Sequence, residues 1–328
     1  MTVKPVIKKQ INRGYSYALL GAFFLSTTSI LIRHMTLTYQ IPALILAFWR
    51  DVFMVATLIP AFWIFNKNLL KIKSVHLGFL ILFGLIVAIF NSFWTLSVSI
   101  NGAAVATVLV YCSAGFTVLL GWWLLNESLT WIKLVAVVLS LGGCVLVAEA
   151  YDPALWNTNF AGIITGILSG LSYAAYSLMG RSASQRGLSP WTTLLYSFTF
   201  AGIFLLILNL IPGDFLIGKA VQASDLFWLG NRLDGWIILI LLAAIPTIGG
   251  FGFYNVSLSY LPSSIANLIS TTEPAFTAVT AFLFLGERLR PVQMAGSLFI
   301  LAGVVFLRLF ANRSLSKPEK SKNVNVSV

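Results

Sequence analysis

Apolar runs of about 20 residues, separated by short polar or charged stretches, recur along the whole chain. A helix of that length crosses a hydrocarbon core roughly 30 Å thick, and there it satisfies its own backbone hydrogen bonds. The runs predict ten spans, over 15–33, 42–65, 76–100, 102–125, 131–149, 160–180, 190–211, 235–259, 262–285 and 291–311. The third and fourth nearly fuse and are divided at Asn101-Gly102, the eighth and ninth at Leu261-Pro262, since Gly and Pro punctuate helices. The first run follows Lys4, Lys8, Lys9 and Arg13. It exceeds the roughly 7–15 apolar residues of a cleavable signal and reads as a retained span. The longest connection, 212–234, holds Pro212, Gly213, Asp214, Asp225 and Asp234, with room for a short interfacial helix.

Composition agrees with a bilayer environment. Of 328 residues, 58% are hydrophobic and 9% charged, where soluble domains carry about 25% charged residues. An ordinary soluble enzyme is thereby excluded. The net charge of +11 is compatible with nucleic-acid binding, until the charges are placed. With a cytoplasmic N-terminus, fifteen of the 21 Lys and Arg fall on the cytoplasmic side, five fall outside, and Arg50 lies within a span. Such an excess is an orientation signal. It predicts a multi-pass protein of the inner membrane with both termini cytoplasmic, and no nucleic-acid partner. Cys112, Cys144, His34 and His76 offer neither a disulfide framework nor metal-ligand spacing. No cofactor or metal is expected. The glycine-rich stretches lack a Gly-Lys-Ser/Thr ending, so a nucleotide-driven pump is not expected either.

The two halves of the chain resemble each other. At an offset of 160 residues, Asn91–Val147 aligns without a gap on Phe251–Leu307. Among the identities are Phe93/Phe253, Ser99/Ser259, Phe116/Phe276, Glu127/Glu287, Leu129/Leu289 and Gly143/Gly303. Arg33 and Pro42 keep the spacing of Arg181 and Pro190. Five spans per half is an odd number, so the second half enters the membrane from the opposite side. The fold class predicted is all-α integral membrane, ten transmembrane helices as two inverted-topology five-helix repeats. Its parts are a basic tail (1–14), a first repeat (15–149), an external linker (150–159), a second repeat (160–311) and a polar, Lys-rich tail (312–328). Inverted repeats commonly flank a midplane site reached alternately from either side.

The motifs Leu124-Leu125-Asn126-Glu127-Ser128-Leu129 and, more fully, Glu273-Pro274-Ala275-Phe276, Phe284-Leu285-Gly286-Glu287-Arg288-Leu289, Gln293, Gly296 and Gly303-Val304 resemble the drug/metabolite transporter superfamily, in particular its EamA-type ten-span exporters. The resemblance covers about residues 15–311, and Arg50 in the second span fits it. In the first half Ala114 stands where the family commonly has proline, and Asn126 replaces the usual glycine. The resemblance implies export of amino acids, related metabolites or drugs.

Charged groups within spans are costly and point to function. Three qualify: Arg50, Asp51 and Glu273. Glu273 lies roughly 16 Å into the span that starts at Pro262, near the midplane, and Pro274 beside it frees the carbonyl of Ser270. Glu273 is a candidate proton-coupling group or partner of a substrate ammonium, and equally a carboxyl tying a proline-broken helix to a neighbour. Arg50 sits roughly 12 Å below the outer boundary. It either pairs with a carboxylate on another helix or binds a substrate carboxylate. Asp51, adjacent on the helix, is expected to need a separate partner.

Candidates for a substrate path are Asn91, Trp94, Tyr111, Tyr254, Asn255, Asn267, Ser270 and Thr271. Asn267, Ser270, Thr271 and Pro274 share one helical face, and Trp94 aligns with Tyr254 across the repeat. Against this, Ser and Thr back-bond within helices and aromatics pack or face lipid. Ser26–Ser29 and the stripe Gly162, Gly166, Gly170 read as close-packing faces. Glu127 and Glu287 read as turn anchors, or as gates. The function expected is a secondary transporter exporting a small organic metabolite, such as an amino acid, with the proton as candidate coupling ion and lipid as its surroundings. It is not expected to be an enzyme. The alternative is a non-transport membrane scaffold or sensor.

Overall fold

The computed structural model describes residues 3–147, 151, 153–211, 213, 216–286, 288 and 290–314. Regular structure among them is helical throughout. In chain order the helices are α1 (Val3–Thr38), α2 (Ala43–Phe65), α3 (Leu77–Asn101), α4 (Ala103–Val110), α5 (Ser113–Leu125), α6 (Trp131–Val147) and α7 (Pro153–Gln185). There follow α8 (Pro190–Leu210), α9 (Leu233–Leu242), α10 (Ile248–Tyr260), α11 (Ser263–Ser270), α12 (Glu273–Leu285) and α13 (Pro291–Ser314). A π-helical turn over Ala243–Thr247 joins α9 to α10 around Pro246, because proline cannot supply the regular hydrogen bond. Among the described residues, eight helical stretches are long and apolar enough to cross a bilayer, and Trp131–Gly143 and Pro291–Gly303 are shorter apolar helices.

The boundaries at Asn101-Gly102 and Leu261-Pro262 fall where expected. Gly102 leaves the helix with φ of 82°, and Leu261 is extended ahead of Pro262. Helices α1 and α7 overrun the expected 15–33 and 160–180, as polar flanking residues continue a helix once it is nucleated. In the 212–234 connection the expected interfacial helix is one 3₁₀ turn, Ala223–Phe227, closed by a capping box between Gln222 and Asp225. Pro212, Asp214, Glu287, Leu289 and the tail from Leu315 lie outside the described residues.

Two of the long segments are broken at matching places. The ninth apolar run stops at Thr271-Thr272, just ahead of Pro274, and resumes as α12. The fourth stops at Tyr111-Cys112 and resumes as α5 with no proline nearby. There the backbone tightens, with Tyr111 N–H on the Val108 carbonyl at 3.0 Å and Cys112 N–H on that of Leu109 at 3.1 Å. Helix α7 bears on this break. A Cβ at Gly170 would stand 3.0 Å from the Val110 carbonyl oxygen, and one at Gly166 would stand 2.5 Å from Leu109 Cδ1. The glycine stripe is thus a close-packing face, and what it packs on is the discontinuity.

Packing runs in reciprocal pairs. Helix α1 lies on α10, α11 and α12, while α7 lies on α3, α4 and α5. Helix α2 meets α8, and α6 meets α13. In the last pair a Cβ at Gly143 would stand 2.5 Å from the Gly296 carbonyl oxygen, and one at Gly303 would stand 2.9 Å from that of Ala136. Outside, large apolar side chains such as Ile64, Trp123, Val138, Leu283 and Leu298 are exposed, an arrangement suited to hydrocarbon rather than water. Gly143→Ala is expected to overpack this crossing by about 1–3 kcal/mol. Gly142→Ala, which meets nothing within 4 Å, is expected to be neutral. Thermal unfolding in detergent distinguishes the two, and equal midpoints would contradict the contact.

Candidate functional site

The breaks bring two side chains together at the centre of the bundle. Glu273 opens α12 and Tyr111 follows α4; both are buried, Glu273 with 3% of its surface exposed. The Tyr111 hydroxyl donates to Glu273 Oε2 at 2.5 Å. A carboxylate in the first turn also faces the positive end of its own helix dipole. A small cavity opens here, lined by Leu25 and Thr28 of α1, Phe90 and Trp94 of α3, Val110, Tyr111, Tyr173 of α7, Phe251 of α10 and Glu273. About 20 Å³ is open to the centre of a water molecule, room for one or two waters.

Aromatic rings form most of its wall. Tyr173 stacks on Phe90 at 5.2 Å and on Tyr254 at 5.4 Å, and meets Tyr111 edge-on at 6.1 Å. Phe90 stacks on Trp94 at 6.5 Å. Ring faces attract cations, and a carboxylate among them strengthens that attraction. The arrangement can hold an ammonium group or exchange a proton.

A polar string runs beside the cavity. Ser113 Oγ donates to Asn267 Oδ1 at 3.0 Å, and Asn267 Nδ2 donates to Ser177 Oγ at 3.2 Å. Ser177 spends its own hydrogen on the Tyr173 carbonyl at 2.8 Å, so at 2.7 Å Tyr254 is the donor to Ser177. The string links α5, α11, α7 and α10 around the breaks.

The two ends of the bundle are closed by charged groups. At one end the Glu127 carboxylate accepts from the N–H groups of Ser263 at 2.7 Å and Ser264 at 3.3 Å, and from both serine hydroxyls. It thereby caps α11, and Lys133 Nζ lies 3.7 Å away. Arg181 at this end donates to the Leu258 carbonyl at 2.8 Å, and at the opposite end Arg33 donates to that of Ser99 at 2.6 Å. Each arginine meets the last carbonyls of a helix, the end where cations are favoured.

Two segments of the sequence, residues 12–148 and 160–309, match the EamA-like transporter family. The chain belongs to that family. As an EamA-like protein it is a multi-pass membrane protein, in keeping with the eight long apolar helical stretches among the described residues. An uncharacterized transporter of Archaeoglobus fulgidus is 27% identical over 202 residues, 62% of this chain and 66% of that one. The threonine/homoserine exporter RhtA of Escherichia coli (strain K12) is 27% identical over 173 residues, 52% of each chain. This chain therefore spans about two thirds and one half of those relatives. A solved crystal structure shares the fold with a TM-score of 0.61 at 15% identity, covering 91% of this chain and 99% of that one.

The candidate residues of this EamA-like chain divide into groups. Trp94, Tyr111 and Glu273 line the cavity, while Tyr254 and Asn267 belong to the string beside it. Ser270 and Thr271 do not join them. Their hydroxyls bond back to Ala266 and Leu268 of their own helix, and the face they were expected to share with Pro274 is interrupted by the break. Asn255 is buried against Gly180 of α7. Asn91 turns away, donating to both Asp51 oxygens at 2.8 and 2.9 Å. The expectation that Asp51 and Arg50 take wholly separate partners is corrected. Arg50 Nε lies 3.8 Å from Asp51 Oδ1, because the long arginine stem bends back over its neighbour.

Phe90, Tyr173 and Phe251 of the wall, and Ser177 of the string, were not among the sequence candidates. Tyr173, Tyr176 and Ser177 stand at i, i+3 and i+4 on one face of the glycine-rich α7, a stripe that was there to be read. Thr28, assigned to close packing, lines the cavity as well.

Proposed function

We propose that this chain is a secondary transporter that exports a small amphipathic metabolite bearing an ammonium group, an amino acid or a related compound, by alternating access. Ten spans form two inverted five-span repeats, 15–149 and 160–311, joined by an external linker at 150–159. The protein sits in the inner membrane with both termini cytoplasmic, so Glu127 closes the cytoplasmic end. One observation carries the reading: a buried carboxylate, Glu273, among aromatic rings where two helices break. Discontinuous helices at midplane sites are a recurrent transporter device. The reciprocal packing of α1 and α7, and of Gly143 and Gly303, supports the inverted repeat. The fifteen-to-five distribution of Lys and Arg supports the orientation. The name of RhtA, a threonine/homoserine exporter, favours amino acids, and Glu273 is the proposed proton-coupling group.

The test is counterflow into proteoliposomes with a panel of amino acids, nucleosides and cationic drugs, with and without a pH gradient. Exchange of threonine, homoserine or another amino acid, responding to the gradient, is the expected result. The small size of the cavity favours the second reading, a non-transport scaffold or sensor, and failure across the panel with folded protein would shift the balance toward it.

A further inference from the structure

Away from the residues that line the central cavity, one buried charged group stands out. Arg50, on α2, has 0% of its surface exposed. Among the described residues its Nε, Nη1 and Nη2 have no hydrogen-bond acceptor. Its charged neighbour, Asp51, stands 3.8 Å from Nε, beyond hydrogen-bond length. That carboxylate is already engaged, since both its oxygens accept from Asn91 Nδ2. The guanidinium thus keeps a buried fork of donors, a shape that matches a carboxylate in two parallel bonds. Asn91 Oδ1 and Thr95 Oγ1, one turn apart on α3, are likewise buried without partners among the described residues. Asn91 Oδ1 is an acceptor and offers an anion nothing, but burying the guanidinium nitrogens without acceptors is unfavourable unless something accepts from them.

We propose that Arg50 is the centre of a buried anion site, which takes a small monovalent anion, a carboxylate or a halide. Asp51 is the internal competitor that holds the guanidinium from one side, and Asn91 restrains Asp51 so that the Nη face is left free. The source of the anion is either free halide from solution or the carboxylate of an organic solute. The site is separate from the Glu273 cavity, and binding to it does not depend on transport.

The purified full-length chain in detergent is heated in sodium chloride, sodium acetate or the sodium salt of a bulky sulfonate at equal ionic strength. The unfolding midpoint is expected to climb with chloride or acetate concentration, as linkage requires, and to ignore the sulfonate. A response to acetate alone identifies a carboxylate site, to chloride alone a halide site, and to both an unselective one. Asp51→Asn removes the competitor and is expected to tighten apparent anion binding about tenfold. Arg50→Gln is expected to abolish the response. If Arg50→Gln does not fold, Asp51→Asn carries the test: rescue of its midpoint by chloride or acetate supports the site. Equal loss of stability in all three salts, with no response of the unsubstituted chain, makes Arg50 and Asp51 a structural pair and overturns the proposal. A response that survives Arg50→Gln overturns it too. Counterflow that fails while the midpoint responds counts against transport and leaves the anion site standing.

Discussion

Glu273→Gln is expected to remove the response of transport to a pH gradient and to weaken uptake of an amine-bearing solute about 100-fold or more. Glutamine keeps the size of the side chain and an oxygen to accept from Tyr111, which now bonds Glu273 at 2.5 Å. It cannot carry the charge or the exchangeable proton. Breaking a buried ion pair by removing one partner costs about 3–5 kcal/mol, and each 1.4 kcal/mol is about tenfold in affinity. A mainly structural carboxyl would behave differently, because glutamine would still tie α12 to α4. Counterflow and gradient-driven uptake at several pH values provide the measurement. Transport at the original rate with an unchanged pH profile would eliminate Glu273 as both coupling group and ammonium partner.

The second large effect is expected at the Glu127 end. Glu127→Ala removes a carboxylate that accepts from two backbone N–H groups and two serine hydroxyls at the start of α11. Hydrogen bonds to a charged group contribute about 1.5–3 kcal/mol each. The substitution loses several at one helix end and also takes from Lys133 the carboxylate 3.7 Å away. That sum outweighs the few kcal/mol that commonly separate alternating states. Faster hydrogen exchange is expected over Leu261–Thr271, together with a population shifted toward opening at that end. Glu127→Gln is expected to fall between, since an amide accepts more weakly and repels one of its donors. Unchanged exchange across α11 would make the contact incidental.

The fold was largely legible in the order of apolar runs, because each run has to match a fixed hydrocarbon thickness. Asn101-Gly102 and Leu261-Pro262 marked the turns for the same reason that Gly and Pro mark them elsewhere. Glu273, Trp94 and Tyr111, which line one cavity, stood out in the sequence because a charge, or a polar-tipped ring, inside an apolar run needs a reason. Phe90, Tyr173 and Phe251 did not, since an aromatic inside a cavity and one against lipid look alike in a linear string. Asn91 is not among the residues lining the cavity: Asp51 on a neighbouring helix claims its amide, and pairing between helices is not written in either segment. Ser270 and Thr271 were lost to their own backbone, the ordinary alternative for a hydroxyl in a helix.

The unlike causes of the two helix breaks bear on the order in which the protein is made. In the ninth span Pro274 travels with the break, so that kink is specified as soon as its own segment exists. In the fourth span no proline does the same, and the tightening at Tyr111-Cys112 meets α7 through Gly166 and Gly170, residues synthesised some fifty positions later. Chains emerge from the N-terminus onward. The fourth segment is therefore expected to form first as a continuous helix and to take up its break when α7 packs against it. Half of the central site is finished by a helix from the other half of the chain, so neither repeat alone is a small version of the whole.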